Sequence, residues 1–196
     1  MQKTVEEDRN LYLGGSDIPI IMGISPFKSY YQLLKEKVGI EEPEKVDNPY
    51  VYYGNIMEEK IRDYINNAYG TNFVEDMKIN EDIRCHVDGI DKTIEEIIEI
   101  KTTSKIHKRL RTYKYYLVQL LFYMIQYDYK KGKLCVYERP KDFEEELNPE
   151  LLTIYDVDLS EFADWIEEIN QAIDKYRVDK KRLEENCLLG EEDFND

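Results

Sequence analysis

The sequence predicts a single α/β domain whose strands gather in the middle of the chain. Three observations carry this. The chain has 196 residues, about one domain's length, and its 42% hydrophobic content is enough for a core. Short β-branched runs fall within residues 72–103 and 134–157, with helical-period segments around them. No repeat or convincing internal boundary divides the chain, so residues 1–189 read as one domain followed by an acidic tail, 190–196.

From the N-terminus, Ser16 in GGSD suits a helix N-cap, and the short apolar helix IPIIMG stops at Gly23. SPFKS turns the chain, and Ser29 caps a second helix over 30–38. Residues 39–49, which include two prolines, form a polar loop. A helix over 50–69 closes on Gly70, with Ile56, Ile61 and Ile65 facing inward. Strand patterns follow at 72–79, 83–90 and 95–103, then a strongly apolar helix at 113–129. Two more strands occupy 134–138 and 151–157. Ser160 caps a long helix on which Trp165, Ile169, Ile173 and Tyr176 recur at helical spacing, and the tail is expected to fray.

A formal charge of −15 argues against a nucleic-acid partner, but its distribution reverses the argument. Residues 138–196 hold 20 acids against 7 bases, whereas residues 1–137 hold 22 against 20. Within the first part, KTTSKIHKRLRTYK (101–114) has six Lys or Arg and no acid. A one-sign basic run in an acidic protein suits phosphates, neutralised by Lys105, Lys108, Arg109 and Arg111. No stretch approaches the roughly 18 apolar residues of a membrane span, and the N-terminus lacks a secretory layout. A cytoplasmic protein with no membrane partner is expected. Cys85, Cys135 and Cys187 are scattered, which indicates reduced thiols rather than a disulfide framework or zinc site.

One strand is chemically odd. In IIEIKTT, Glu99 and Lys101 stand two apart and share a face. An antiparallel hairpin turning near Thr93 and Ile94 pairs residues whose numbers sum to 187, which sets Asp88 opposite Glu99. Two carboxylates this close need a cation between them. Lys101 supplies part of that charge. Mg²⁺ suits such oxygen ligands, with the Ile100 carbonyl as a third donor and Mn²⁺ as a substitute ion. The alternative is an ordinary exposed hairpin face with a cross-strand ion pair. Three features weigh against it: the helix carboxylates Glu58 and Glu59 just upstream, the i,i+4 polar pair Gln119 and Tyr123 in an apolar helix, and the basic run that begins at Lys101.

Together these motifs resemble the lambda-exonuclease/YqaJ-type viral recombinase nucleases of the PD-(D/E)xK superfamily. The resemblance runs from Arg9 to about Tyr137: Arg9 and Ser16 around LGGSDIPIIMGISPFKS, then YGNIMEE, VDG, EIK and QLLFY. Val87 replaces the superfamily's proline, and the acidic C-terminal third lies outside the resemblance, its role open. The resemblance implies a restriction-endonuclease-like core, a central mixed sheet flanked by helices. It implies Asp88, Glu99 and Glu58 as metal-binding carboxylates, Glu58 being preferred to Glu59 by its spacing from Gly54. Lys101 would orient the attacking water, Gln119 and Tyr123 would brace the site, and Arg9 and Ser16 would hold a terminal 5′-phosphate. His86 and His107 stand outside the pattern. The implied activity is a Mg²⁺-dependent 5′-to-3′ exonuclease on double-stranded DNA ends that leaves 3′ overhangs for phage-type recombination. It would act in the bacterial cytoplasm as a trimeric ring, with a single-strand annealing protein as partner. A restriction- or junction-type endonuclease is the alternative, and a non-catalytic DNA-binding or DNA-mimic module a further one.

Overall fold

The computed structural model describes residues 9–43 and 48–194, and local chemistry sets where its elements begin and end. A 3-10 turn at Arg9–Leu11 precedes β1 (Leu13–Gly14) and a one-turn helix, α1 (Ile18–Ile21). α2 (Tyr30–Lys37) starts at Ser29, whose hydroxyl accepts the Gln32 N–H. α3 (Pro49–Tyr69) has proline in its first turn and ends on Gly70 at φ 67°, a left-handed conformation open to glycine without a Cβ clash. Then come β2 (Val74–Asn80), β3 (Ile83–Asp91), β4 (Glu96–Thr103), α4 (Lys114–Tyr127), β5 (Lys131–Glu138), β6 (Leu152–Asp158) and α5 (Ala163–Glu185).

The strands form one six-stranded mixed sheet in the order β1-β3-β4-β5-β6, with β2 also paired to β3. β4 and β5 run parallel through the α4 crossover, and β6 returns antiparallel to β5. α1, α2, α4 and α5 build the larger core, in which Leu117, Leu120, Leu121, Ile169 and Ile173 are buried. α3 packs a second core of Tyr53, Met57, Ile61 and Ile65 on Ile98, Ile100, Cys135 and Tyr137. The architecture is the expected α+β one, a mixed sheet flanked by helices.

Several local expectations are corrected. The inward row of α3 runs in steps of four through Tyr53, Met57, Ile61 and Ile65, which leaves Ile56 only half-buried. α1 is capped at Asp17 rather than Ser16. Ser160 does not cap α5; a 3-10 turn at Leu159–Phe162, capped by Asp158, comes between. The tail is not frayed as far as Phe194. Glu191–Phe194 form a 3-10 turn, and Phe194, 3% exposed, stacks on Tyr31 because it is the tail's one large apolar side chain. Asn195 and Asp196, and residues 44–47 of the expected loop, lie outside the described residues. Among the described residues no helix is long and apolar enough to cross a membrane.

Candidate active site

The site opens where two strands part. β3 and β4 pair only as Gly89↔Ile98, Ile90↔Ile97 and Asp91↔Glu96, the expected register. The next pair would be Asp88 with Glu99. Instead the Asp88 carboxylate accepts the Ile100 N–H at 2.7 Å. Against β2 the register shifts between Val74↔Ile90 and Asp76↔Val87, so β3 carries an extra residue at 88–89. Such a bulge re-aims a side chain. Gly89 makes it fit, since a Cβ there would lie 2.7 Å from Ile98 Cγ1 and 3.1 Å from Phe73 Cβ.

Glu99 is wholly buried, and neither of its oxygens has a hydrogen-bond partner among the described residues. Lys101, its side chain a quarter exposed, has its ammonium ion-paired to the Glu99 Oε1. Burial and then the Asp88 charge push the Glu99 pKa up to about 8, against the pull of Lys101. Glu58, reaching in from α3, is pushed up to about 7 by the same two causes. Burial alone would lower the Lys101 pKa, but Glu99 and Asp88 outweigh it and hold the group above its ordinary value. Glu59 is exposed on α3. Arg62, one turn after Glu58, pairs with its carboxylate at 3.3 Å and donates to the Asp88 carbonyl at 2.5 Å.

From α4, the buried Gln119 amide donates to the Tyr123 hydroxyl at 3.3 Å. Burial, and then Glu99, raise the Tyr123 pKa well above 10. A cavity of about 350 Å³ lies beside Asp88, walled by Gly15, Ser16, Arg84, His86 and Tyr123. A second, of about 280 Å³, is lined by Tyr50, Gly54, Glu58, Ile100 and Lys101. Asn55 lines both cavities.

The remaining expected residues are dispersed. Arg9 opens the first 3-10 turn, but its side chain lies outside the described residues. α1, at four residues, is too short to supply a helix dipole at Ser16, so the expected anion site at its N-terminus loses that support. Lys105, Lys108 and Arg109 are exposed on the connection from β4 to α4. Arg111 is engaged elsewhere: it donates to the Glu161 carbonyl at 3.2 Å, with its guanidinium 4.9 Å from the Phe162 ring and 5.4 Å from that of Trp165. Sequence reasoning missed Arg62 and Arg84. The i,i+4 spacing of Glu58 and Arg62 was the available signal for the first.

A hard divalent cation fits this set in chemistry, if not as an enclosed cage. Among the described residues no three His, Cys, Asp or Glu side chains converge tightly enough to hold a metal as they stand. Yet of the two buried Glu99 oxygens only Oε1 has a donor group beside it among the described residues, the Lys101 ammonium, and such a buried charge is costly unless further compensated. Its partners toward the cavity, Asp88 and Glu58, are oxygen donors as well.

Comparisons with known proteins bear on the family and the fold. The YqaJ-like viral recombinase domain matches residues 6–130, more than half of the chain. A phage-related exonuclease from Haemophilus somnus 129PT shares 18% identity and a TM-score of 0.64, over 89% of this chain and 96% of that one. The alkaline exonuclease LHK-Exo from Laribacter hongkongensis shares 15% identity and a TM-score of 0.63, over 93% and 96%. Its complex with dAMP gives a TM-score of 0.62 at 15% identity, over 91% and 94%. No curated protein matches significantly. The fold is thus that of these exonuclease structures, and the chain belongs to the YqaJ-like viral recombinase domain family, the nuclease family that its motifs resemble.

Proposed function

We propose that the protein is a Mg²⁺-dependent exonuclease that digests double-stranded DNA from 5′ ends and leaves 3′ single-stranded overhangs. The observation that carries this reading is the buried Glu99 carboxylate, short of donors, beside Lys101, Asp88 and Glu58, with Asp88 on the wall of one cavity and Glu58 and Lys101 on the wall of the next. Asp88, Glu99, Glu58 and the Ile100 carbonyl would hold the cation, Mg²⁺ or Mn²⁺. The Ile100 N–H faces Asp88, and a strand residue's C=O lies on the same edge as its N–H. When bound, the ion supplies positive charge at the phosphate and eases deprotonation of the attacking water.

The protein's own groups do the rest. Lys101 brings ammonium donors and a positive charge to the wall where phosphate charge develops. Gln119 fixes the Tyr123 hydroxyl, which closes the cavity floor. Asp88 holds the β4 backbone in place through Ile100 N–H, so the Ile100 carbonyl and Glu99 keep their positions. Ser16 and Arg84 line the cavity proposed to receive the terminal nucleotide, with Arg9 as a further cation from the 3-10 turn. A terminal phosphate carries roughly −1.5 to −2 charges against about −1 for an internal one, so a cationic pocket favours ends. Lys105, Lys108 and Arg109 would follow the duplex backbone. A trimeric ring, an annealing-protein partner and action in a phage-carrying bacterium's cytoplasm complete the proposal; they rest on the resemblance.

The test is digestion of linear against covalently closed circular duplex, with Mg²⁺ and with EDTA. Loss of the linear form alone, and only with the ion, supports the reading. Cutting of the closed circle would make the protein an endonuclease, and no cleavage of either would favour a binding module.

A further inference from the structure

We infer that Lys37 is a positioning residue, a buried ammonium that sets the Gly14–Asp17 loop against Tyr123 and so shapes the cavity beside Asp88. The inference rests on the proposal that this cavity receives the 5′-phosphorylated strand end. Lys37 stands in the last turn of α2 with its side chain 2% exposed. Its ammonium lies 2.7 Å from Asp17 Oδ2 and donates to the Tyr12 carbonyl at 2.5 Å. The same Asp17 oxygen accepts the Gly14 N–H at 2.9 Å, and the Asp17 N–H donates to the Gly14 carbonyl at 3.0 Å. One buried charge pair therefore ties Tyr12, Gly14 and Asp17 to α2, while β1 ties Leu13 and Gly14 to Ile83 and Arg84.

The loop so held carries Gly15, and Gly15 lies directly on Tyr123. A Cβ at Gly15 would fall 2.6 Å from Tyr123 Cζ and 2.7 Å from its hydroxyl. Shifts of a few tenths of an ångström in the loop must therefore move the tyrosine or open a gap against it. Tyr123 is also the group that Gln119 grips and that the Glu99 charge reaches. An apolar pair would fill the same volume without directing the Tyr12 carbonyl and the Gly14 N–H. Buried ion pairs add little net stability, and their better-attested role is to select one geometry.

The experiment uses the full chain and the double variant Asp17→Asn/Lys37→Met. The single change Lys37→Met would strand the Asp17 charge, whereas the double change removes both charges of the pair and still offers Gly14 N–H an acceptor. Two readouts are taken on protein that unfolds cooperatively: amide hydrogen exchange at Leu13–Asp17, and kcat and KM on linear duplexes with 5′-phosphate or 5′-hydroxyl ends. The loop amides should exchange about tenfold faster, the effect of one lost charge-assisted hydrogen bond. The preference for phosphorylated ends should narrow, through KM more than kcat. Native exchange together with a native end preference would overturn the assignment. If the unaltered protein shows no end preference, the terminal-phosphate reading fails by itself, and the exchange rates alone decide whether Lys37 holds the loop.

Discussion

Glu99→Gln should make the metal-free protein more stable while removing its response to Mg²⁺. The Glu99 carboxyl is wholly buried, has no donor beside it among the described residues but the Lys101 ammonium, and has its pKa raised from 4.5 to about 8 by burial and by Asp88. An acid whose folded pKa lies above its unfolded one adds no penalty below about pH 4.5. The penalty grows through the interval to about pH 8 and is complete above it. At pH 7 the linkage amounts to an order of 3 kcal/mol. The raised value already includes the pull of Lys101; relaxation around the buried carboxylate reduces the gain to roughly 1–2 kcal/mol, or about 2–8 °C in Tm for a chain of this size. Mg²⁺ at about 100 times its Kd should stabilise the unaltered protein by roughly 2.7 kcal/mol and the variant hardly at all. Thermal melts from pH 5 to pH 9, with EDTA and with Mg²⁺, measure both effects. The variant's advantage should widen with pH. A variant less stable than the parent at pH 8 in EDTA, or one that still responds fully to Mg²⁺, would refute the reasoning.

Other perturbations separate the roles of neighbouring residues. Asp88→Asn and Lys101→Ala should each lower kcat by about a thousandfold in folded protein, because several kcal/mol of charge stabilisation are lost at roughly 1.4 kcal/mol per decade; single-turnover cleavage measures this. Neutralising Lys105, Lys108 and Arg109 should reduce the slope of log K against log salt by about 0.9 per lost phosphate contact. Arg111→Ala should instead lower Tm with little change in that slope, since its guanidinium packs on Phe162 and Trp165. Gly15→Ala should impair cleavage by displacing Tyr123. Gly14→Ala, whose Cβ would meet nothing closer than 3.7 Å, should serve as the mild comparison.

Most of the sheet was legible because strand periodicity is local. The turn near Thr93 and Ile94 and the apolar pair Ile97 and Ile98 were enough to place β3 and β4 in register. The end of that ladder was not legible. The extra residue at 88–89 shows only against β2, and Gly89 was the sole hint of the tight packing there. The cap of α1 was misplaced for a similar reason: Asp17 is recruited by Lys37, a partner far along the chain that no cap rule contains. Arg111 looked like its basic neighbours until Phe162, in the turn before α5, and Trp165, in α5, supplied the rings beneath it. The buried Phe194 was hidden by the acidic residues around it. In each case a short-range pattern was read correctly as far as it went, and a side chain from a distant segment decided the rest.

End-labelled DNA tests the central claim most directly. Linear duplexes carrying a 5′-phosphate and a label at either the 5′ or the 3′ terminus would be incubated with the protein, with and without Mg²⁺. The account predicts that the 5′ label leaves early as mononucleotide, that the 3′ label stays on a progressively shorter strand, and that neither happens in EDTA. Early release of the 3′ label, or digestion that proceeds unchanged in EDTA, would contradict it.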